Sequence, residues 1–165
     1  MPMKNLILIR HAKSSWDAPV QDIERSISSR GVQNAHLIAI KAVDIVPKSY
    51  IVWCSNAKRT KETAYIFSQY LSVPIDVIQF SNELYTFDDK QLLQIIKKCK
   101  NEHDNLILFG HNEAITNFVN KFGDLYIENV PTSGLVHLQF DCDVWENLSK
   151  GKTICTLFPS HFKHE

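Results

Sequence analysis

The sequence carries no surplus charge: eighteen Lys and Arg stand against eighteen Asp and Glu. No global field therefore draws the protein to nucleic acid or to an anionic membrane, and an anion site has to be built locally. Apolar runs near the roughly 18 residues of a membrane span are missing too, so the expectation is a soluble protein. The four cysteines, Cys54, Cys99, Cys142 and Cys155, lie far apart and form no CxxC pair, and Met1 leads into a strand-like run without a basic leader or cleavage site. The expectation from both is reduced thiols in a cytoplasmic protein. There is no Pro/Gly-rich linker and no low-complexity stretch, and residues 1–165 read as one domain.

What the chain does have is apolar material, 44% of its residues, set out in short runs. Residues 5–9 (NLILI), 50–54 (YIVWC), 75–80 (IDVIQF) and 105–109 (NLILF) are rich in Ile, Leu, Val and aromatics and read as strands, the first and last buried on both faces. Ala35, Ile38, Ala39, Ala42 and Val46 follow helical spacing until Pro47, and Ala64, Phe67 and Leu71 give a second helix that stops before Pro74. Asp88 with Gln91 has the form of a capping box opening a helix through Leu92, Ile96 and Cys99. Ile115, Phe118, Val119 and Phe122 form another stripe, closed by Gly123. Residues 134–140 and 153–158 read as an antiparallel pair at one side of the sheet. Repeated βα units followed by ββ predict an α/β sandwich with a mostly parallel sheet.

The runs NLILIRH (5–11) and NLILFGH (105–111) both finish in histidine. In a parallel sheet, ligands bind beyond the carboxyl ends of the strands, where the next helices point their N-termini. His11 and His111 are expected there, and the stretch CSNAKRT places Arg59 in the first turn of a helix at the same end. Arg10, His11, Arg59 and His111 would then gather in one crevice, a receptor suited to a tetrahedral oxyanion because guanidinium forks pair with phosphate oxygens. No carboxylate cluster or metal-ligand spacing stands beside them, so the expectation is chemistry without metal or cofactor. A neutral imidazole would attack phosphorus and hold the group as phosphohistidine.

LIRHAKSSW, Arg30-Gly31, CSNAKRTKETA and FGHNEAI, in this order over most of the chain, resemble the histidine phosphatase superfamily, also called phosphoglycerate mutase-like, and particularly its short SixA-like phosphohistidine phosphatase branch. The resemblance implies a three-layer α/β/α sandwich with a mostly parallel central sheet and an antiparallel edge strand. It implies His11 as nucleophile, with Arg10, Arg59 and His111 binding the phosphoryl group. A general acid after the third strand is implied as well, where SNELY offers Glu83; Ser14 is a further candidate for binding substrate. The family's R-H-G reads R-H-A here, with Ala12. Asp17 stands where the mutases carry asparagine, and it is expected to turn away from phosphate or to pair with Arg25 or Lys13. The long insertion that mutases fold over their substrate is missing, and an uncovered pocket suits a phosphate carried on a protein.

The expected partner is a phosphorylated protein bearing a phosphohistidine domain, or else a small phosphate ester, acted on by a monomer that binds neither nucleic acid nor membrane. Two alternatives remain open on the residues alone: a phosphatase for a small phosphorylated metabolite, and a non-catalytic phosphate-binding module. Cysteine catalysis at Cys54 is disfavoured, because the spacing to Arg59 is C-x4-R rather than C-x5-R. His36, His103, His137, His161 and His164 read as surface or packing residues, and Lys97, Lys98 and Lys100 as a solvated helix face.

Overall fold

The computed structural model describes residues 3–162. Strands β1 (Lys4–Arg10), β2 (Ile51–Ser55), β3 (Gln79–Ser81), β4 (Asn105–Gly110), β5 (Leu135–Phe140) and β6 (Lys152–Leu157) form one sheet in the order β3-β2-β4-β1-β5-β6. β1 to β4 are mutually parallel. β5 runs antiparallel to β1, and the edge strand β6 antiparallel to β5.

Four helices cover the sheet: α1 (Ser29–Ala42), α2 (Lys58–Leu71), α3 (Asp89–Ile96) and α4 (Ala114–Phe122). Side-chain alternation in β1 explains why both faces need cover. Leu6 and Leu8 enter one apolar cluster with Ile96, Ile115 and Phe118 of α3 and α4, whereas Ile7 and Ile9 enter the other with Ile38 and Phe67 of α1 and α2. All four β1 residues are at most 1% exposed, and burying each contributes about 1.5–3 kcal/mol. A strand sandwiched this way reads as a continuous apolar run, the pattern of a parallel sheet between two helical layers.

The twin heptapeptides prove to be neighbours. β1 and β4 pair in register from Asn5 beside Asn105 to Arg10 beside Gly110. At the N-terminal end the Asn5 side-chain amide donates to Asn105 Oδ1 at 2.9 Å. At the other end the His11 N–H donates to the Gly110 carbonyl at 3.1 Å. Equal run lengths on adjacent parallel strands therefore bring the two terminal histidines side by side.

Three expected elements differ, the first being α1, which ends at Ala42 rather than running through Val46. Residues 75–77 are a 3₁₀ turn, and the third strand is only Gln79–Ser81. Pro74 starts that turn, and Asp76 and Val77 are exposed, so the apolar residues of IDVIQF were not a strand face. Asp88 does cap α3, but its carboxylate accepts from the Lys90 N–H, while Gln91 accepts from the Thr86 hydroxyl instead of closing the box. α3 ends at Ile96, short of Cys99.

Candidate active site

His11 follows the last residue of β1 and His111 the last residue of β4, with ring centroids 5.3 Å apart. The His11 Nδ1 lies 2.7 Å from the Ala12 carbonyl. A carbonyl only accepts, so Nδ1 carries the ring proton and Nε2 keeps a free lone pair. The Arg59 Nε–H points at that atom from 3.4 Å. His11 is therefore held as a neutral imidazole with its unprotonated nitrogen facing a guanidinium.

The α2 segment explains how scattered residues converge. Ser55 ends β2, and Arg59, Thr60 and Thr63 lie on one face of the first turns of α2, all buried. Ser55 Oγ sits 2.8 Å from His111 Nε2, and Thr60 Oγ1 is 3.4 Å from the same atom. Thr63 Oγ1 accepts from the Ala12 N–H and donates to the Arg59 carbonyl, each at 2.8 Å, tying the loop that carries His11 to the helix that carries Arg59. Ser55, Thr60 and Thr63 were not singled out from the sequence, although all three lie in the S-x-x-x-R-T-x-x-T-A pattern.

Two buried polar atoms in this cluster have no protein partner: Arg10 Nε and His111 Nδ1. Arg10 spends one N–H on the Val130 carbonyl at 2.9 Å. Ser55 Oγ already accepts from the Ala57 N–H. With the Ser55 proton directed at His111 Nε2, the ring hydrogen sits on Nδ1, where it is an unused donor. Unpaired buried donors cost about 1–3 kcal/mol each unless something accepts from them.

Electrostatics favour the neutral rings. Burial, assisted by Arg59, Arg10 and Arg25, lowers His11 to about 3 against the opposing bond to Ala12. Burial first, then His11 and Arg59, lowers His111 to about 2, with Asp22 opposing. Burial and Arg59 also lower Arg10, with the nearby Glu113 at the head of α4 opposing.

The residue that sequence reading missed is Asp22. Its Oδ2 accepts from Arg59 at 2.9 Å and from the Tyr85 hydroxyl, its Oδ1 accepts from Arg25 at 2.8 Å, and its carbonyl accepts from Arg59 at 2.7 Å. Partial burial raises the Asp22 carboxyl, but the hydrogen bonds from Tyr85, Arg25 and Arg59 outweigh it and hold the group at about 2. The only available signal was the D-x-x-R spacing to Arg25 in a polar stretch.

The remaining candidates fall elsewhere. Glu83 is not brought into the cluster: its exposed carboxylate faces Lys98 at 3.7 Å, in a groove lined by Trp53, Phe80 and Ile95. Two residues after it Tyr85 faces His111, and the next residue, Thr86, is buried. The Ser14 hydroxyl accepts from Arg25, reaching the cluster only through Asp22. Arg25 pairs with Asp22 and not with Asp17, which is exposed. Burial pushes the Cys54 thiol far up, away from thiolate chemistry. His36 bonds Tyr70 and His137 bonds Asn5, while His164 lies outside the described residues. Among the described residues no group of three or more His, Cys, Asp or Glu is poised to hold a metal, and no helix is long and apolar enough to cross a membrane.

Comparison with known proteins bears on the fold. Residues 6–85 match the model of the histidine phosphatase superfamily (branch 1). That stretch, just under half of the chain, is similar to the superfamily, and the whole chain has the mixed α/β fold seen in SixA structures. A Nakamurella multipartitia protein named for the phosphohistidine phosphatase SixA superposes with a TM-score of 0.82 at 18% identity, over 96% of this chain and 98% of that one. The protein histidine phosphatase SixA in complex with tungstate gives 0.78 at 17%, over 96% and 99%. A mycobacterial glucosyl-3-phosphoglycerate phosphatase gives 0.66 at 10%, over 92% and 97%. By sequence, the uncharacterised protein ML1117 of Mycobacterium leprae is 28% identical over 112 residues, 66% of each chain and so just under two thirds of that relative's length.

Proposed function

We propose that the protein is a metal-independent phosphatase that works through a phosphohistidine intermediate on His11 and acts on phosphohistidine carried by a protein. The observation that carries this reading is the tautomer of His11: Nδ1 bound to the Ala12 carbonyl and Nε2 free beside the Arg59 guanidinium. Arg10 Nε and His111 Nδ1, buried and unpartnered, supply further donors for phosphoryl oxygens. The SixA neighbour that binds tungstate, a tetrahedral oxyanion like phosphate, supports the same reading.

In the first step the His11 Nε2 lone pair forms a bond to phosphorus as the bond from phosphorus to the leaving group breaks, that electron pair departing with the leaving group. Arg10, Arg59 and His111 hold the three equatorial oxygens, whose charge they offset. In the second step a water oxygen bonds to phosphorus as the bond from phosphorus to His11 Nε2 breaks; the electron pair returns to Nε2, the water's proton passes to a phosphoryl oxygen, and phosphate leaves the neutral ring.

Leaving-group chemistry favours phosphohistidine. The carboxylate hydrogen-bonded into the cluster, Asp22, is ionised at neutral pH and has no proton to give. An alcohol departing from an ester needs such a proton. A histidine ring protonated on its far nitrogen departs as neutral imidazole without one, and the bond broken resembles the bond formed. A small phosphorylated metabolite is the second reading, supported by the fold shared with the glucosyl-3-phosphoglycerate phosphatase.

A substrate panel separates the readings: a phosphohistidine protein, 3-phosphoglycerate and nitrophenyl phosphate, with and without chelator. The expected result is fastest turnover of the phosphohistidine protein, unchanged by chelator. Good turnover of small esters with the phosphohistidine protein untouched contradicts the proposed substrate. Glu83→Gln belongs in the panel, because a true general acid contributes about 10²–10⁴-fold, and here the loss of phosphohistidine turnover should stay within about threefold.

A further inference from the structure

Two large aromatic side chains with no part in the chemistry above stand exposed beside the phosphate cradle. Phe87 is half exposed, yet its ring lies 5.3 Å from His111 and 5.4 Å from Tyr85. Tyr85 in turn meets His111 edge-on at 5.3 Å and donates its hydroxyl to Asp22. Trp16 is 76% exposed and rests on Arg25, whose guanidinium carbon is 3.2 Å from the ring centroid.

Asp22 links the two. Its Oδ2 reaches Tyr85 and Arg59 on the Phe87 side, and its Oδ1 reaches Arg25 under Trp16. Apolar rings left in water are unfavourable, and these two stand there in contact with groups of the polar site. Aromatic side chains have only two χ angles to order, so they lose little conformational freedom when they receive a flat group.

We propose that Phe87 and Trp16 are specificity residues of this site, their ring faces flanking the planar imidazole of a phosphohistidine residue while its phosphoryl group enters the cradle. The inference rests on the phosphohistidine reading and adds what selects the ring. A polyhydroxylated leaving group finds no hydrogen-bonding partner on Phe87 and loses hydration against it. An imidazole stacks or packs edge-on instead, with His111 continuing the aromatic wall below.

The test uses the full chain and the variants Phe87→Leu and Trp16→Leu, with three substrates: a phosphohistidine peptide, 1-naphthyl phosphate and glycerol 3-phosphate. Each variant is expected to lower the ratio of kcat/KM for either ring substrate over that for glycerol 3-phosphate by roughly 2- to 10-fold, carried mainly by KM. Unchanged ratios, with or without a general loss of activity, overturn the inference. A wild-type protein inert toward the phosphohistidine peptide contradicts the functional reading instead, and the naphthyl-to-glycerol ratio then decides the aromatic wall separately.

Discussion

The Arg59 Nε–H faces His11 Nε2 across 3.4 Å, so the atom proposed to attack phosphorus shares one wall with a donor proposed to receive a phosphoryl oxygen. The other two nitrogens of Arg59 are committed to Asp22. This use of all three nitrogens needs a planar fork. Arg59→Lys should therefore resemble Arg59→Ala, each lowering kcat/KM by about 10²–10³-fold, as expected for one transition-state donor. Steady-state turnover of a phosphohistidine protein checks this, and near-wild-type activity in the lysine variant would show that only the charge matters.

Acid should destabilise the protein before it reaches ordinary carboxylate denaturation. His11 and His111 titrate near 3 and 2 in the folded protein, against an ordinary 6.5. Between those values the unfolded chain binds more protons than the native one, so stability is complete above about 6.5 and falls as pH drops, by up to about 1.4 kcal/mol per pH unit for each ring. The depressed Asp22 acts in the same direction at lower pH, from its ordinary 3.8 down to about 2. Urea denaturation at pH 5 and pH 7 measures the slope. Ring NMR signals of His11 and His111 that titrate near pH 6.5 would contradict it.

Ser55→Ala removes the hydroxyl 2.8 Å from His111 Nε2 without touching the nucleophile. The ring loses its nearer partner, keeping only Thr60 Oγ1 at 3.4 Å, and the Ala57 N–H loses its acceptor, with an expected stability loss of about 1–3 kcal/mol. Turnover should fall by about tenfold, with phosphate release slowed rather than substrate binding lost. Rapid-quench kinetics separate the two steps.

Gly31 has a structural reason. A Cβ there would sit 2.2 Å from the Lys13 carbonyl oxygen, so the first turn of α1 touches the loop that carries His11 and Ala12. Gly31→Ala should cost about 1–3 kcal/mol as backbone is pushed apart. Activity should fall with it, because the displaced loop holds Ala12 against Thr63. Thermal melting and turnover on one preparation test both effects.

Much of this was legible in the sequence because the burial pattern and the chemistry coincide. NLILI and NLILF are apolar on both faces only because helices cover both faces, and that same central position puts their terminal histidines together. Arg59 could be placed from its spacing after a strand end. Asp22 could not, because it sits in a loop without periodicity and its role depends on partners as distant as Tyr85. The position of Glu83, apart from the cluster, was not legible for the related reason that β3 is only three residues long, so direction after it is set by packing of Leu84 and Thr86 rather than by strand alternation.

The central claim is covalent transfer to one nitrogen, and single-turnover labelling tests it most directly. The protein is mixed with a donor carrying radiolabelled phosphohistidine, quenched in alkali within milliseconds and separated from the donor by size. The account predicts alkali-stable, acid-labile label on the peptide containing His11, and none in His11→Ala, which should fold yet lose at least about a thousandfold in turnover. Rapid phosphate release by the wild type with no label on His11 at any quench time, or label on another residue, would contradict it.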